Sequence, residues 1–340
     1  MMNEKEFLEE WNSPGKTLLV HTSGSTGKPK PMWVEKQRML NSARITCDFL
    51  GLKSGDTALL CMSLDYIAGK MMMVRSIERK LRLVSVKPNG HPLSDDSLAK
   101  ACVLDFSSGL SSCEDASFLP FDFVAMVPMQ VYNSLQVPVE RERLSRIKHL
   151  IIGGGAIDEG LAAELRTLPG AVWSTYGMTE TLSHIALRRI NGENASEWYQ
   201  AFDSVKVSLN EEGCLVIEAP LVCEKPLVTN DIAEVKDTGK SLFRIKGRRD
   251  NVVCSGGIKI QIEEVESLLR KHLDAPFMIA KRKDEKFGEV AVLISESLDL
   301  RGVEEISRKI LPKYWVPRHF VHFDHLPLTD TGKPKRSIFV

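Results

Sequence analysis

A glycine- and hydroxyl-rich segment near the start of the chain constrains the fold most strongly. Residues 22–30 read Thr-Ser-Gly-Ser-Thr-Gly-Lys-Pro-Lys and follow an apolar run, Thr17–Val20, that is typical of a β-strand. Glycines let the backbone approach an anion closely, while hydroxyls and a lysine donate hydrogen bonds and charge to it. The pattern favours a strand that leads into a phosphate-binding loop. The alternative is a flexible linker, but a linker does not require this order of residue types.

This segment differs from the P-loop of the common nucleotide hydrolases. That loop has four residues between its glycines and a Ser or Thr after its lysine. Here Ser25 and Thr26 alone separate Gly24 from Gly27, and Pro29 follows Lys28. The residues that we expect to surround phosphate are Thr22, Ser23, Gly24, Ser25, Thr26, Gly27 and Lys28.

Length and charge exclude several classes of protein. With 340 residues the chain can bury a sizeable core, and we expect two domains. Lys and Arg together number 45, as do Asp and Glu together, so the chain has no net charge that would attract nucleic acid or an anionic membrane. No apolar run reaches the roughly 20 residues of a membrane span, and the charged N-terminus lacks a signal-peptide core.

Seven cysteines without a Cys-x-x-Cys pair indicate reduced thiols and a cytoplasmic protein.

Hydrophobic periodicity divides the chain into three parts. Up to about Ser183, strand-like runs alternate with amphipathic stretches, which predicts a mostly parallel sheet covered by helices. Short strands and hairpin turns follow, which predicts a small antiparallel β subdomain. The pattern changes again beyond Asp250. We therefore expect an α/β protein with a larger N-terminal domain, residues 1–249, and a small mobile α+β C-terminal domain, residues 250–340.

A second candidate motif, Tyr176-Gly-Met-Thr-Glu-Thr181, follows a predicted strand, Val172–Thr175. Gly177 permits a sharp turn, Thr179 can donate a hydrogen bond to a phosphate oxygen, and Glu180 can hold a hard cation such as Mg²⁺. The alternative is an ordinary turn with an exposed glutamate. The phosphate loop expected on the same sheet favours the functional interpretation.

Three glycines, Gly153, Gly154 and Gly155, end another predicted strand, His149–Ile152. They do not fit the dinucleotide-binding pattern, because Asp158 occupies the place of its third glycine. Successive glycines allow a flat ligand to lie against the backbone. A plain strand-to-helix turn is the alternative.

Five motifs in this chain resemble, in the same order, those of the adenylate-forming superfamily. That superfamily contains acyl- and aryl-CoA synthetases, luciferases and the adenylation domains of peptide synthetases. Besides the two nucleotide motifs above, the matching segments are Thr229-Asn-Asp231, Gly247-Arg-Arg-Asp250 with Ser255-Gly-Gly257, and Leu326-Pro-Leu-Thr-Asp-Thr-Gly-Lys333-Pro-Lys-Arg336. Asn230 replaces the usual glycine, and asparagine tolerates the left-handed backbone that such a turn uses. The chain is identified as a member of this superfamily.

The resemblance implies a role for each matching residue. Tyr176 would stack on adenine, Thr179 would contact phosphate and Glu180 would bind Mg²⁺. Asp231 and Arg248 would contact the ribose. The remaining nucleotide-binding residues would be Gly154, Gly155, Gly177 and Met178.

The resemblance also implies two chemical steps and a hinge. Lys333 would hold the attacking carboxylate against the α-phosphate of ATP, which yields an acyl-adenylate and pyrophosphate. The small domain would then rotate about Asp250 and open a channel for the thiol of coenzyme A, the co-substrate. The implied activity is an ATP-dependent acid–thiol ligase.

The segments Val127-Pro-Met-Gln130, Gly153–Ala156 and Thr181-Leu-Ser-His184 resemble the o-succinylbenzoate–CoA ligases of menaquinone synthesis. An aromatic keto acid with a second carboxylate would suit a pocket formed by Tyr66, Gly153, Ser183 and His184, in which Tyr66 replaces a usual histidine. Three alternatives stay open: another acyl- or aryl-CoA ligase, an adenylation enzyme that loads a carrier protein, and a binding protein without chemistry.

The phosphate loop is preceded by 21 residues, whereas relatives usually have a substantial segment there. We expect the leading subdomain to be largely absent. A homodimer would then be one way to cover an exposed sheet.

Overall fold

The computed structural model describes residues 2–21, 31–237, 241–328 and 334–336. The chain forms two compact units. The first comprises Met1–Val207, Ile217–Leu227 and Lys236–Phe243, and the second comprises Ser208–Val216, Val228–Val235 and Arg244–Val340. The domain boundary at Asp250 stays a prediction.

The first unit contains a large sheet, its covering helices and a hairpin. Its strands are β1 (Thr17–His21), β2 (Pro31–Glu35), β3 (Thr57–Leu60), β4 (Arg82–Ser85), β5 (Ala101–Asp105), β6 (Leu110–Glu114), β7 (Phe123–Met126), β8 (His149–Ile152), β9 (Ala171–Met178), β10 (Ser183–Arg189) and β11 (Tyr199–Ala201). Its helices are α1 (Glu4–Asn12), α2 (Lys36–Leu50), α3 (Ile67–Arg79), α4 (Asp95–Leu98), α5 (Pro128–Gln136), α6 (Pro138–Ser145) and α7 (Glu159–Leu165).

The centre of the large sheet is parallel, as the sequence predicts. In the first unit its strands follow the order β11-β10-β9-β8-β7-β3-β4-β5-β6. The pairs from β9 through β8, β7 and β3 to β4 are parallel, while β10, β11, β5 and β6 add on antiparallel. All four residues of β7 are buried. Burial on both faces explains why β7 reads as an unbroken apolar run.

Helix α3 is buried along most of its length. Every residue from Gly69 to Ser76 is buried, because the helix packs against α2, β3 and β10. A helix covered on several sides needs apolar residues nearly all round. The polar side chains of Lys70 and Arg75 in this stretch are therefore exceptional.

The second unit contains two groups of strands. The first group is β12 (Lys206–Leu209), β13 (Cys214–Glu218), β14 (Leu227–Asp237) and β15 (Ser241–Arg248), hydrogen-bonded in the order β12-β13-β14-β15. Each of these strands has some of its residues in the first unit. The second group is β16 (Val252–Ser255), β17 (Ile258–Gln261), β18 (Phe277–Asp284), β19 (Gly288–Ser295) and β20 (His319–His322).

The second group of strands and two helices form the predicted α+β lobe. The sheet order is β17-β16-β19-β18, with β20 parallel to β19 and the other pairs antiparallel. Helices α8 (Ile262–Leu269) and α9 (Leu300–Ile310) accompany it, and Val253, Val265 and Leu293 are fully buried in its core. Near the end of the described chain, Arg336 Nη2 donates to Glu266 Oε2 of α8 at 2.9 Å.

The predicted fold class is confirmed: an α/β protein with a mostly parallel sheet in its larger part and a small α+β lobe. Among the described residues, no helix combines the length and the apolar character that a membrane crossing requires. All seven cysteines are free thiols.

Candidate active site

The carboxyl ends of three neighbouring parallel strands, β7, β8 and β9, meet at one edge of the sheet in the first unit. Val127-Pro128 follows β7, Gly153 follows β8, and Tyr176–Met178 form the end of β9. Ligands of open α/β sheets bind at this kind of edge. The structure therefore brings together the segments from which the sequence predicts the adenine and acyl pockets.

The turn Gly153–Gly155 packs tightly against its neighbours. A Cβ atom added to Gly153 would lie 2.5 Å from Thr175 Oγ1, and Gly154 has a φ of +82°. A close approach at the first position and a left-handed backbone at the second both favour glycine. Packing and backbone geometry therefore explain these glycines, and a flat ligand against this turn stays a prediction.

Tyr176 lies in an aromatic cluster. Its ring centroid is 5.1 Å from that of Phe243 in an edge arrangement and 5.8 Å from that of Tyr199, and the Tyr199 and Phe243 rings stack at 5.6 Å. The Tyr199 hydroxyl is 2.8 Å from Ser174 Oγ, which holds the cluster against β9. This packing fixes the orientation of the Tyr176 ring at the strand end.

A buried amide, Gln130 of α5, joins three loops at the same edge. Its Nε2 donates to Cys61 O at 3.1 Å and to Asn89 O at 2.9 Å, and its Oε1 accepts from Val127 N at 3.1 Å. Gln130 belongs to the segment Val127-Pro-Met-Gln130, whose pattern by itself indicates no role for this side chain. The structure shows that its side chain ties together the segments after β3, β4 and β7.

Thr179–Thr181 form a single helical turn after β9 that presents one carboxylate. Thr179 is buried, whereas Glu180 is exposed and makes no hydrogen bond or ion pair with its side chain among the described residues. Mg²⁺ binds proteins through one or two carboxylates, and substrate phosphates complete its shell. No cluster of three or more His, Cys, Asp or Glu side chains suited to a metal occurs in the described part of the chain. A lone exposed carboxylate at this place fits Mg²⁺ carried by a nucleotide.

The backbone after this turn is strained. Leu182 and Ser183 have φ values of 55° and 96°, which non-glycine residues rarely adopt. Two hydroxyls hold the strained pair, since Ser42 Oγ donates to Leu182 O at 3.1 Å and Thr181 Oγ1 donates to Ser183 O at 2.7 Å. Strain maintained by its surroundings is typical of ligand-binding sites.

Arg75 of α3 is a candidate site residue that the sequence analysis missed. Its side chain is 1% exposed, and its Nη2 donates to Ser183 Oγ at 3.2 Å. Its buried Nε has no hydrogen-bond partner among the described residues. Burial lowers the pKa of the guanidinium to about 10, so it stays charged at neutral pH.

Among the described residues, Arg75 has no carboxylate counter-ion. The thiol of Cys47 acts on the pKa of Arg75 by charge, and burial raises the pKa of that thiol to about 12. A buried charge without a partner is costly, so it points to an anion that a ligand supplies. The signal available in the sequence was an arginine directly after the apolar run Met71–Val74.

The predicted pocket residues Ser183, His184 and Tyr66 differ in their contacts and in their exposure. Ser183 contacts Arg75, whereas His184 is 5% exposed and lies behind Ser183, with Nδ1 3.2 Å from Ser183 Oγ. Burial and the charge of Arg75 hold the pKa of His184 well below its usual range. Tyr66 precedes the first residue of α3, the helix that carries Arg75, and is 40% exposed.

The second unit joins the predicted ribose and hinge residues. Arg248 Nη1 lies 3.0 Å from Asp231 Oδ1, and Arg248 Nη2 lies 3.0 Å from Asp250 Oδ2. Asn230 Nδ2 donates to the same Asp250 oxygen at 3.3 Å, and Thr229 Oγ1 accepts from Asp231 N at 3.1 Å. The residue that replaces the usual glycine is therefore bonded to the predicted hinge.

Two groups of predicted site residues lie outside the described residues. The first is the phosphate loop, Thr22, Ser23, Gly24, Ser25, Thr26, Gly27 and Lys28, and the second is Lys333. On the two sides of residues 22–30, strands β1 and β2 pair antiparallel, with His21 opposite Pro31.

The chain belongs to the AMP-binding enzyme family, whose model matches residues 6–205. This match confirms the membership predicted from the motifs. The chain is also similar to the acyl-CoA synthetase (AMP-forming)/AMP-acid ligase II-like protein of Dyadobacter fermentans, a solved structure. The two are 31% identical with a TM-score of 0.63, and the comparison covers 98% of this chain and 91% of that one.

Two further similarities concern more specific relatives. The 2-succinylbenzoate–CoA ligase of Listeria monocytogenes is 22% identical over 360 residues, which cover 98% of this chain and 72% of the relative. The structure of the O-succinylbenzoate coenzyme A synthetase of Bacillus subtilis, in complex with ATP and magnesium ion, is 21% identical with a TM-score of 0.74. That comparison covers 94% of this chain and 69% of the relative, and it shows that the fold is shared.

Proposed function

We propose that this protein is an ATP-dependent acid–CoA ligase that activates o-succinylbenzoate as an acyl-adenylate and transfers it to coenzyme A. The family match and the ligase names of its relatives support the reaction class. The observation that carries the choice of acid is the buried guanidinium of Arg75, which has no carboxylate partner among the described residues and contacts Ser183. An acid with a second carboxylate supplies the counter-ion that this site lacks.

The first step needs positioning and charge neutralisation more than covalent chemistry by the protein. In our proposal, Tyr176 stacks on adenine and the Gly153–Gly155 backbone lies along it. Asp231 accepts hydrogen bonds from the ribose, with Arg248 beside it. Lys333 holds the attacking carboxylate against the α-phosphate, and residues 22–28 bind the departing pyrophosphate.

Mg²⁺ would be held by Glu180 together with the phosphates of ATP, and it would neutralise their charge. Thr179 would donate a hydrogen bond to a phosphate oxygen from its buried position next to Glu180. The strained turn at Leu182 and Ser183 sets the direction of the chain directly after Thr179–Thr181.

The second step is thioester formation. We propose that the domains are residues 1–249 and 250–340 and that rotation about Asp250 withdraws Lys333 and admits the thiol of coenzyme A. Hinge rotation about a few residues is an established type of motion in proteins. Asp250 accepts hydrogen bonds from Arg248 and Asn230, and this polar network supports its choice as the pivot.

The acid pocket would take its specificity from Arg75. The guanidinium presents planar donors that match a carboxylate, and burial strengthens the pairing. Ser183 lies against it, and Tyr66 stands at the start of the same helix. A pocket with this cation would disfavour acids with one carboxylate, since their binding would leave the charge unpaired.

Pyrophosphate release tests the proposal. Purified protein with ATP and Mg²⁺ is supplied with a panel of carboxylic acids, each with and without coenzyme A. We expect turnover with o-succinylbenzoate that depends on coenzyme A. Turnover with a different acid would support another acyl- or aryl-CoA ligase, and turnover with a carrier-protein thiol would support an adenylation enzyme. Binding of ATP without pyrophosphate release in the presence of any of the acids would support a binding protein.

We also propose that the enzyme works in the cytoplasm as a homodimer. Seven free thiols, several of them buried, suit a reducing compartment. Strand β6 is an exposed edge of the sheet, and an unpaired edge can bind the same edge of a second copy. Light scattering of the purified protein measures the oligomeric state, and a monomer at all concentrations would contradict the dimer.

A further inference from the structure

A continuous chain of hydrogen bonds runs behind the strained turn of the first unit. Arg75 Nη2 lies 3.2 Å from Ser183 Oγ, and Ser183 Oγ lies 3.2 Å from His184 Nδ1. His184 Nε2 lies 2.9 Å from Thr46 Oγ1, and Thr46 Oγ1 lies 3.1 Å from the carbonyl oxygen of Ser42. Apart from Ser183, these side chains are at most 5% exposed.

The two ends of this chain fix the direction of every bond in it. A carbonyl oxygen can only accept, so the Thr46 hydroxyl donates to Ser42 O and has a lone pair left for His184. His184 therefore carries its proton on Nε2, and its Nδ1 accepts. At the other end a guanidinium can only donate, so Ser183 accepts from Arg75 and donates to His184 Nδ1.

A charged imidazole would break this order. Both of its nitrogens would donate, and the Ser183 hydroxyl would receive two donors and have no acceptor for its own proton within the chain. Burial and the nearby charge of Arg75 hold the pKa of His184 well below its usual range, in agreement with a neutral ring. Among the described residues, the other ring in contact is that of Phe202, 5.8 Å away, which is apolar.

His184 is not placed to touch a substrate. A cavity beside it has a volume of about 10 Å³, enough for a single water and too small for an aryl acid. Ser42, Phe202 and Val205 are among the residues that line it. His184 consequently acts on ligands through Ser183.

We infer that Thr46 and His184 are positioning residues that set the acid specificity of the site through Ser183 and Arg75. They turn the Ser183 hydroxyl proton away from the substrate, so that the Arg75 guanidinium is the donor that meets it. This inference rests on the proposed function, because it concerns how the same pocket selects an acid with a second carboxylate.

Thr46→Val tests the inference, since it keeps the shape of the side chain and removes the hydroxyl. His184 Nε2–H then loses its acceptor, and the ring gains by moving its proton to Nδ1 and donating to Ser183. Ser183 Oγ then receives donors from both His184 and Arg75, so it no longer holds the guanidinium in its wild-type place. We expect KM for o-succinylbenzoate to rise by about tenfold or more, with kcat changed less than threefold.

Benzoylpropanoate separates specificity from general damage, because it has the same keto chain and a single carboxylate. Its kcat/KM should change less than threefold in Thr46→Val. Thr46→Ser restores the hydroxyl and should return KM for o-succinylbenzoate toward that of the wild type. Ser76→Ala is the matched control, since Ser76 is buried next to Arg75 and bonds within its own helix to Met72 O. An equal loss with both acids would overturn the inference.

The tautomer of His184 provides a readout that needs no substrate. Long-range ¹H–¹⁵N spectra of histidine-labelled protein, with the His184→Gln spectrum for assignment, should show a neutral Nε2–H ring in the wild type and in Thr46→Ser. Thr46→Val should show Nδ1–H. A charged ring or an Nδ1–H ring in the wild type would overturn the inference. Correct tautomers without turnover of o-succinylbenzoate would instead count against the proposed acid.

Discussion

Gly177 and Ser183 lie so close across β9 and β10 that no side chain fits between them. A Cβ atom added to Gly177 would be 2.1 Å from Ser183 O and 2.4 Å from the Cα of His184. Strand β9, which carries the predicted nucleotide motif, can therefore approach β10, which carries Ser183, only because residue 177 is glycine. The backbone between the two strands is strained at Leu182 and Ser183, which have positive φ values.

Gly177→Ala should destabilise the protein and the site together. The added methyl group meets backbone atoms, which cannot move away as a side-chain end could, so we expect a loss of about 3 kcal/mol in the free energy of unfolding. Urea melts measure this loss. Gly15→Ala is the control, because its nearest atom outside its chain neighbours would lie 3.7 Å from the new Cβ. Equal stabilities of the two variants would contradict the packing argument.

Arg75→Met should stabilise the fold while it impairs the reaction. Methionine fills a similar volume and removes a buried charge that has no carboxylate partner among the described residues, so the free energy of unfolding should rise by about 1–4 kcal/mol. The kcat/KM for o-succinylbenzoate should fall by about 100-fold, since the second carboxylate loses its counter-ion.

Arg79→Met serves as the control for Arg75→Met. Arg79 is on the same helix and is partly buried, and it pairs with Asp48 and Glu78 and donates to Leu52 O at 2.8 Å. Arg79→Met removes satisfied bonds, whereas Arg75→Met removes an unsatisfied charge, so we expect Arg79→Met to lower the free energy of unfolding by about 1–3 kcal/mol and to leave the kinetics unaltered. A less stable Arg75→Met variant with normal kinetics would show that Arg75 has a purely structural role.

Arg248→Lys should weaken ATP binding. The guanidinium bridges Asp231 and Asp250 at 3.0 Å each, and a lysine has a single nitrogen for both carboxylates. We expect KM for ATP to rise by about tenfold and KM for the acid to stay the same. Arg244→Lys, which changes an exposed pair with Glu234, is the matched control. A rise in KM for the acid alone would contradict the ribose assignment.

Lys333→Ala should separate the two half-reactions. Pyrophosphate release from ATP and the acid should fall by about 100-fold or more, because the proposed positioning charge is lost in the adenylation step alone. Thioester formation from supplied acyl-adenylate should persist. Lys335→Ala, two residues away, should affect neither half-reaction. Equal loss of both in Lys333→Ala would disprove the assignment of Lys333 to adenylation.

Protonation of His184 should destabilise the protein at acid pH. The pKa of His184 is held well below the usual 6.5, so the unfolded chain binds a proton there before the folded one does. The stability contributed by the neutral ring is complete above about pH 6.5 and is lost as the pH falls toward the folded pKa, by up to about 1.4 kcal/mol per pH unit. Urea melts from pH 5 to 8 should show a shallower acid decline in His184→Gln. Parallel pH curves would rule out this source of the decline.

Secondary structure was predictable wherever local pattern and tertiary environment agree. The runs around Leu150 and Val172 read as buried parallel strands and form β8 and β9. The hairpin of β5 and β6 was not predicted, because Ser111, Ser112 and Cys113 have no apolar alternation and are exposed at the sheet edge. Helix α1 was not predicted either, although Asn3 and Glu6 form a capping box at its start.

The sequence by itself determined the family and the reaction class, and it predicts which residues bind the nucleotide. Phosphate and adenine recognition depends on short contiguous segments, such as Tyr176–Glu180, whose residue order carries the chemistry. The tertiary structure alone added Arg75 to the proposed acid pocket. Arg75 and Ser183 are separated by 108 positions in the chain and meet only because α3 packs against β10. The sequence shows an arginine in an apolar helix, but it does not show whether that arginine is buried or paired. The folded molecule decides both, because they depend on the residues that pack around Arg75.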